Sequence, residues 1–233
     1  MTDSALRQLA DDPSSRKRFF KMLGGAGAVS AATVFLAACG DDDDSASSAK
    51  PAASDASADA KDNTSDLEIL NYALTLEFLE AEFYDGVIAS GIVKDPKVVS
   101  IAKKFGSTEQ EHVDALTATI KKLGGTPVAK PKTNFGPTLD KGLKAVLEAA
   151  ADVENLGAAA YLGQAGSIKN KEVLAAALAI HSVEARHAAA LNTLVGRGFG
   201  SGDGGLKGAL PDGAFGKPMD MAAVLKAVKP FLA

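Results

Sequence analysis

The sequence predicts an all-α protein: an antiparallel four-helix bundle with one long crossover, followed by a short C-terminal helix. Three observations predict it. In four segments apolar residues recur at alternating steps of four and three, the pattern of helices that face partners in a bundle. The links between these segments run short, long, short, and carry the Gly and Pro residues that interrupt helices. The composition is 46% apolar but only 6% aromatic, without Trp, so small and aliphatic residues must build the core.

The 233 residues fall into four parts. Residues 1–39 read as an export signal. The basic cluster Arg16-Lys17-Arg18 leads into Phe19-Phe20-Lys21 and then a Gly/Ala-rich apolar run ending at Cys39. The run is too short and too interrupted by glycine to span a membrane comfortably. Residues 15–21 resemble a twin-arginine export motif with Lys17 in the second arginine position. Leu36-Ala37-Ala38-Cys39-Gly40 resembles a bacterial lipobox, which implies that Cys39 is acylated and becomes the mature N-terminus. Cys39 is the single Cys, so no intrachain disulfide is available. Residues 40–64, rich in Asp, Ser and Ala, have little to bury and predict a tether.

The bundle is predicted over residues 65–197. Ser65-Asp66-Leu67-Glu68 reads as a capping box, opening a helix to about Ser90. Its seam is Leu70, Leu74, Glu77, Ala81, Tyr84 and Ile88. Asp95-Pro96 starts a second helix with the seam Val98, Ala102, Phe105, Glu109, His112, Leu116 and Leu123, stopped by Gly124-Gly125. A third helix is predicted from about Leu139 to Ala165, with Leu143, Leu147, Ala150, Glu154, Ala158, Tyr161 and Ala165 as its seam. A fourth, from about Lys171 to Gly196, aligns Val173, Ala177, Ile180, Glu184, His187, Leu191 and Leu194.

Helices of this length extend about 40 Å at 1.5 Å per residue. The links at residues 91–95 and 166–170 allow only antiparallel hairpins. The link at residues 124–138 reaches about 45–50 Å when extended, enough to cross the bundle end to end. In residues 198–233, Ala222, Val224, Leu225 and Val228 predict an amphipathic helix that packs on the bundle and could close a channel into it.

One polar residue inside an apolar stripe is ordinarily a group tolerated at a helix edge. Here four Glu and two His occupy the centres of four seams. A carboxylate buried without a partner costs several kcal/mol unless it is protonated, paired or metal-bound. The halves also repeat. Glu77 is followed seven residues later by Tyr84, and Glu154 by Tyr161. Glu109–His112 and Glu184–His187 both sit in Glu-x-x-His-x-x-Ala-Leu, with each Glu and His one turn apart on one face.

The order E, E-x-x-H, E, E-x-x-H resembles the ligand set of di-iron and di-manganese carboxylate bundles. Over residues 66–197 the chain resembles the ferritin-like superfamily. The tail, with Phe215 and residues 219–232, is similar to the exported branch that includes bacterial ferritin-like and plant desiccation-related proteins. The resemblance implies two divalent ions, iron or manganese. Glu77, Glu109 and His112 would hold one and Glu154, Glu184 and His187 the other, with Glu109 and Glu184 bridging. Two divalent cations would balance four ionised glutamates; without them some would bind protons.

Tyr84 and Tyr161 are core tyrosines seeking one hydrogen bond, or hydroxyls that support the ligands or quench radicals. His181 reads as a half-exposed histidine or a support for Glu184; Glu80 and Glu111 read as solvated, or as residues that support the ligands from outside.

The expected partners are metal ions and small oxygen species, and a membrane reached through Cys39, on the extracytoplasmic side of a bacterial envelope. A net charge of -4 gives no footprint for nucleic acid. A homo-oligomer is left open, but a hollow storage cage does not suit a lipidated, tethered chain. Two functions follow. One is redox chemistry: iron oxidised by oxygen or peroxide, or peroxide consumed as in a manganese catalase. The other is a structural or stress-protective envelope protein with no turnover.

Overall fold

A computed structural model describes residues 63–200, 207–211 and 213–233. The export signal, Cys39 and nearly all of the tether lie outside the described residues. Among those described, no helix is long and apolar enough to cross a membrane.

Among the described residues six α-helices follow one another: α1 (Thr64–Ser90), α2 (Pro96–Lys122), α3 (Gly136–Leu139), α4 (Leu143–Ala165), α5 (Lys171–Leu194) and α6 (Met221–Val228). A 3-10 turn, Lys229–Phe231, ends the chain. The four long helices form a ferritin-like bundle in which α1 packs along α2 and α4 along α5. The hairpin turns have clear local causes. Asp95 caps α2 by accepting from the Lys97 and Val98 amides, and Asn170 caps α5 by accepting from Glu172 and Val173. Gly91 adopts φ 60° as it ends α1, a conformation that penalises residues with a Cβ.

Two local expectations are corrected. Ser65-Asp66-Leu67-Glu68 is not a capping box. Asn63 stands at the helix cap without a side-chain hydrogen bond, and the Ser65 hydroxyl is buried without a hydrogen-bond partner. Asp66 serves a different helix pair: fully buried, it accepts from the amides of Lys169 (3.0 Å) and Asn170 (2.7 Å) in the α4–α5 turn. The third long helix also starts later than predicted, at Leu143, because the chain breaks at Gly142 with φ 91°. The residues before it form the separate turn α3.

The long crossover is fastened to α1 rather than hanging free. The Val128 amide donates to Asn71 (2.6 Å), and Thr133 and Lys130 both reach the carboxylate of Glu82 at 2.6 Å. The C-terminus joins it: Asn134 N donates to Phe231 O, and Ala233 N to Lys132 O.

α6 packs on α4 through Val224 and Val228, both buried. Ala222 and Leu225, expected on the same face, are exposed. Close approach of this segment depends on Gly163, where an added Cβ would lie 2.0 Å from the carbonyl oxygen of Met219. Met219 N donates to Ala159 O beside it. Phe215, by contrast, is 90% exposed.

Candidate metal centre

Glu77 on α1, Glu109 and His112 on α2, Glu154 on α4, and Glu184 and His187 on α5 meet at the middle of the bundle. All four glutamates are at most 1% exposed and both histidines 7%. Their ligand atoms form two overlapping groups, Glu77–Glu109–His112–Glu184 and Glu109–Glu154–Glu184–His187. Within each group the atoms lie within 4.8 Å of one another. Glu109 and Glu184 belong to both groups, the positions that the ligand pattern gives to bridges.

The six side chains converge but satisfy one another only in part: His112 Nδ1 is hydrogen-bonded to Glu77, while most of the other ligand atoms are not. His112 Nδ1 lies 3.1 Å from Glu77, 2.8 Å from Glu109 and 3.1 Å from Glu184. His187 Nδ1 lies 2.9 Å from Glu109 and 3.3 Å from Glu154. Yet His187 Nδ1, both oxygens of Glu109, both of Glu184 and one of Glu154 make no well-angled hydrogen bond. Opposite charges attract across these distances, but these atoms crowd together without donors in line. Buried polar atoms in that state are costly. Carboxylate and imidazole groups gathered in this way suit two iron or manganese ions.

The electrostatics describe the same crowding. Burial pushes Glu184 well above the usual carboxylate range, and the charges of Glu109, Glu154 and Glu77 push it further. Burial also raises Glu77 and Glu154, against the pull of their histidines. For Glu109 burial is outweighed by His112 and His187, which hold it at about 2. Burial would lower His187, but the nearby carboxylates of Glu109 and Glu154 outweigh it and push it up to about 9. His112 is raised further, mainly by Glu77.

The tyrosines are wired across the halves. Tyr84 donates to Glu154 and Tyr161 to Glu77, so each hydroxyl holds the terminal glutamate of the opposite hairpin. The sequence placed each tyrosine on the face of its own helix's glutamate and gave no sign of the exchange. Phe105 stacks on His187 with ring centroids 3.7 Å apart, fixing that imidazole's plane. His181 is half-buried and bonded through Nδ1 to Ala158 O at 2.9 Å, so the structure shows no hydrogen bond from it to Glu184.

The expectation for Glu80 is corrected: it is 2% exposed, not solvated. It stands one turn after Glu77, and burial plus the charge of Glu184 push it well above the carboxylate range. Its space comes from Gly157, where a Cβ would lie 2.8 Å from Glu80 Oε1 and 3.2 Å from Glu184 Oε2. The sequence does hold a signal for it. When the two halves are superposed on Glu77 and Glu154, Glu80 falls on Gly157, the place where the repeat breaks. Glu111 is half-buried.

Residues 65–197 match the family model described as a ferritin-like domain. No curated protein matches the chain.

Proposed function

The chain belongs to the ferritin-like domain family, and on that premise we propose that it is an exported, lipid-anchored redox protein working through two iron or manganese ions. The observation that carries the proposal is the set of buried, unpartnered carboxylate oxygens that converge from four helices beside two histidines. Glu77, Glu109 and His112 would hold one ion, Glu154, Glu184 and His187 the other, and Glu109 and Glu184 would serve both.

Two such ions would supply redox chemistry, one electron from each with two protons being enough to reduce one dioxygen to hydrogen peroxide. The chain's own residues set the conditions. Four glutamates balance the charge of two divalent cations. Tyr84 and Tyr161 keep Glu154 and Glu77 from rotating away, and the stack of Phe105 on His187 keeps that ring in plane. Burial excludes bulk water, which strengthens every charge interaction inside. The proposal of export and anchoring rests on the residues up to Cys39 and on the tether, which would let the domain stand away from the membrane.

Metal analysis of the chain purified without chelator tests this. About two iron or manganese ions per chain, the count of a di-metal carboxylate bundle, supports the reading. A folded protein that refuses both metals overturns it in favour of a structural envelope protein. Loss of membrane association in Cys39→Ser tests the anchor separately.

A further inference from the structure

Starting one turn beyond the metal-ligating layer and running toward the α1–α2 turn at Val93, the bundle holds a cavity of about 20 Å³. Its wall includes Tyr84 and Val87 from α1, Ala102 from α2, Val146 and Ala150 from α4, and Leu191 from α5. All four long helices therefore contribute, as they do to the ligand cluster. The register is close: Ala150 precedes Glu154 by one turn, and Leu191 follows His187 by one turn.

We propose that this cavity is a docking site for dioxygen on its way to the cluster. The inference rests on the di-metal reading and narrows it, because it selects dioxygen over peroxide as the oxidant held nearby. A cavity of this volume admits one small molecule, but a stable water needs two to four polar partners. The residues that form the wall are aliphatic or aromatic, and the only side-chain hydroxyl among them, that of Tyr84, is given to Glu154. Water and hydrogen peroxide would each leave hydrogen bonds unmade there. Dioxygen is small, apolar and needs none.

Tyr84 also supplies the connection. Its ring forms part of the wall while its hydroxyl holds Glu154. Phe105 meets Tyr84 edge to face at 6.1 Å and stacks on His187. Tyr84 and Phe105 thus link the wall of the cavity to Glu154 and His187.

Two measurements on the full-length chain decide the matter. Crystals pressurised with xenon, which occupies dry apolar cavities, should show one atom bounded by Val146, Ala150 and Leu191, whether or not metal is present. Steady-state iron oxidation should then show an apparent KM for dioxygen raised about tenfold in Ala150→Leu, with kcat recovered at saturating dioxygen. Ala102→Val, a smaller filling change, should raise KM in the same direction and covers the case in which Ala150→Leu does not fold. Xenon absent from the cavity overturns the proposal, and so does an unchanged KM in a folded variant whose cavity is filled. A chain that takes up xenon but no metal would sink the di-metal reading and leave the gas site standing.

Discussion

Tyr161 on α4 donates a 2.5 Å hydrogen bond to Glu77 on α1, and so holds a glutamate that lies in the other half of the chain. Tyr161→Phe keeps the packing and removes that bond. Partners of ligands typically contribute about 10- to 100-fold in metal affinity. Competition against a chelator should therefore show weaker binding by a factor in that range, with Tyr84→Phe giving a comparable loss at the Glu154 side. An affinity unchanged in both variants would make the two tyrosines packing residues only.

Glu109 and Glu184 each belong to both ligand groups. Glu109→Gln combined with Glu184→Gln should abolish metal binding, because neutral amides leave both positions short of charge. Elemental analysis of the purified double variant checks this. Stoichiometric metal retained in a folded protein would sink the ligand assignment.

Chelator-treated protein should lose stability as pH rises. His187 has a folded value of about 9, above its ordinary 6.5. Its contribution is complete below pH 6.5 and disappears as pH rises through about 9. Glu80 and Glu184, raised by burial and by neighbouring carboxylates, act in the same direction: they favour the fold while protonated and oppose it once forced to ionise. Glu109 has the opposite sign. Held at about 2, below its ordinary 4.5, it contributes above pH 4.5 and is lost only as pH falls through about 2. Calorimetry from about pH 5 to about pH 9.5 should show a falling Tm for the chelated protein and a flatter profile once iron or manganese is added. A chelated Tm that climbs across this range contradicts the charge arrangement.

Gly157→Ala should strain the fifth carboxylate. The new Cβ would meet Glu80 Oε1 at 2.8 Å and Glu184 Oε2 at 3.2 Å, and overpacking of this kind costs about 1–3 kcal/mol. Adding Glu80→Ala should restore part of the loss, so a double-mutant cycle in urea should give a coupling outside additivity. Additive effects would show that the two residues do not share that space.

The buried Glu/His cluster was legible because it follows the helical period. Glu77, Glu109, His112, Glu154, Glu184 and His187 replace apolar residues at seam positions, and the structure brings all six together. Both hairpins and the crossover followed from where Gly, Pro and capping residues stand. What the sequence hid depends on distant partners. Asp66 was read as part of its own helix's cap, but it holds a turn over a hundred residues away. Glu80 lies off the four-three seam of α1, and the space it fills is provided by Gly157 on another helix. The tyrosines' choice of partner depends on the direction in which α1 and α4 pass each other, and periodicity within one helix does not contain that.

The exchange of tyrosines also bears on how the chain comes together. α1 with α2, and α4 with α5, are joined by short turns and can pair early, as local contacts do. Neither hairpin alone possesses a complete set of groups around its own glutamate, since Tyr84 serves Glu154 and Tyr161 serves Glu77. The complete centre therefore requires both hairpins, brought face to face by the crossover. An ion that binds only the docked form would stabilise it by about 2.7 kcal/mol at a hundredfold excess over its Kd. Metal supply would then act as a checkpoint on maturation, with unloaded chains the first to come apart and be degraded.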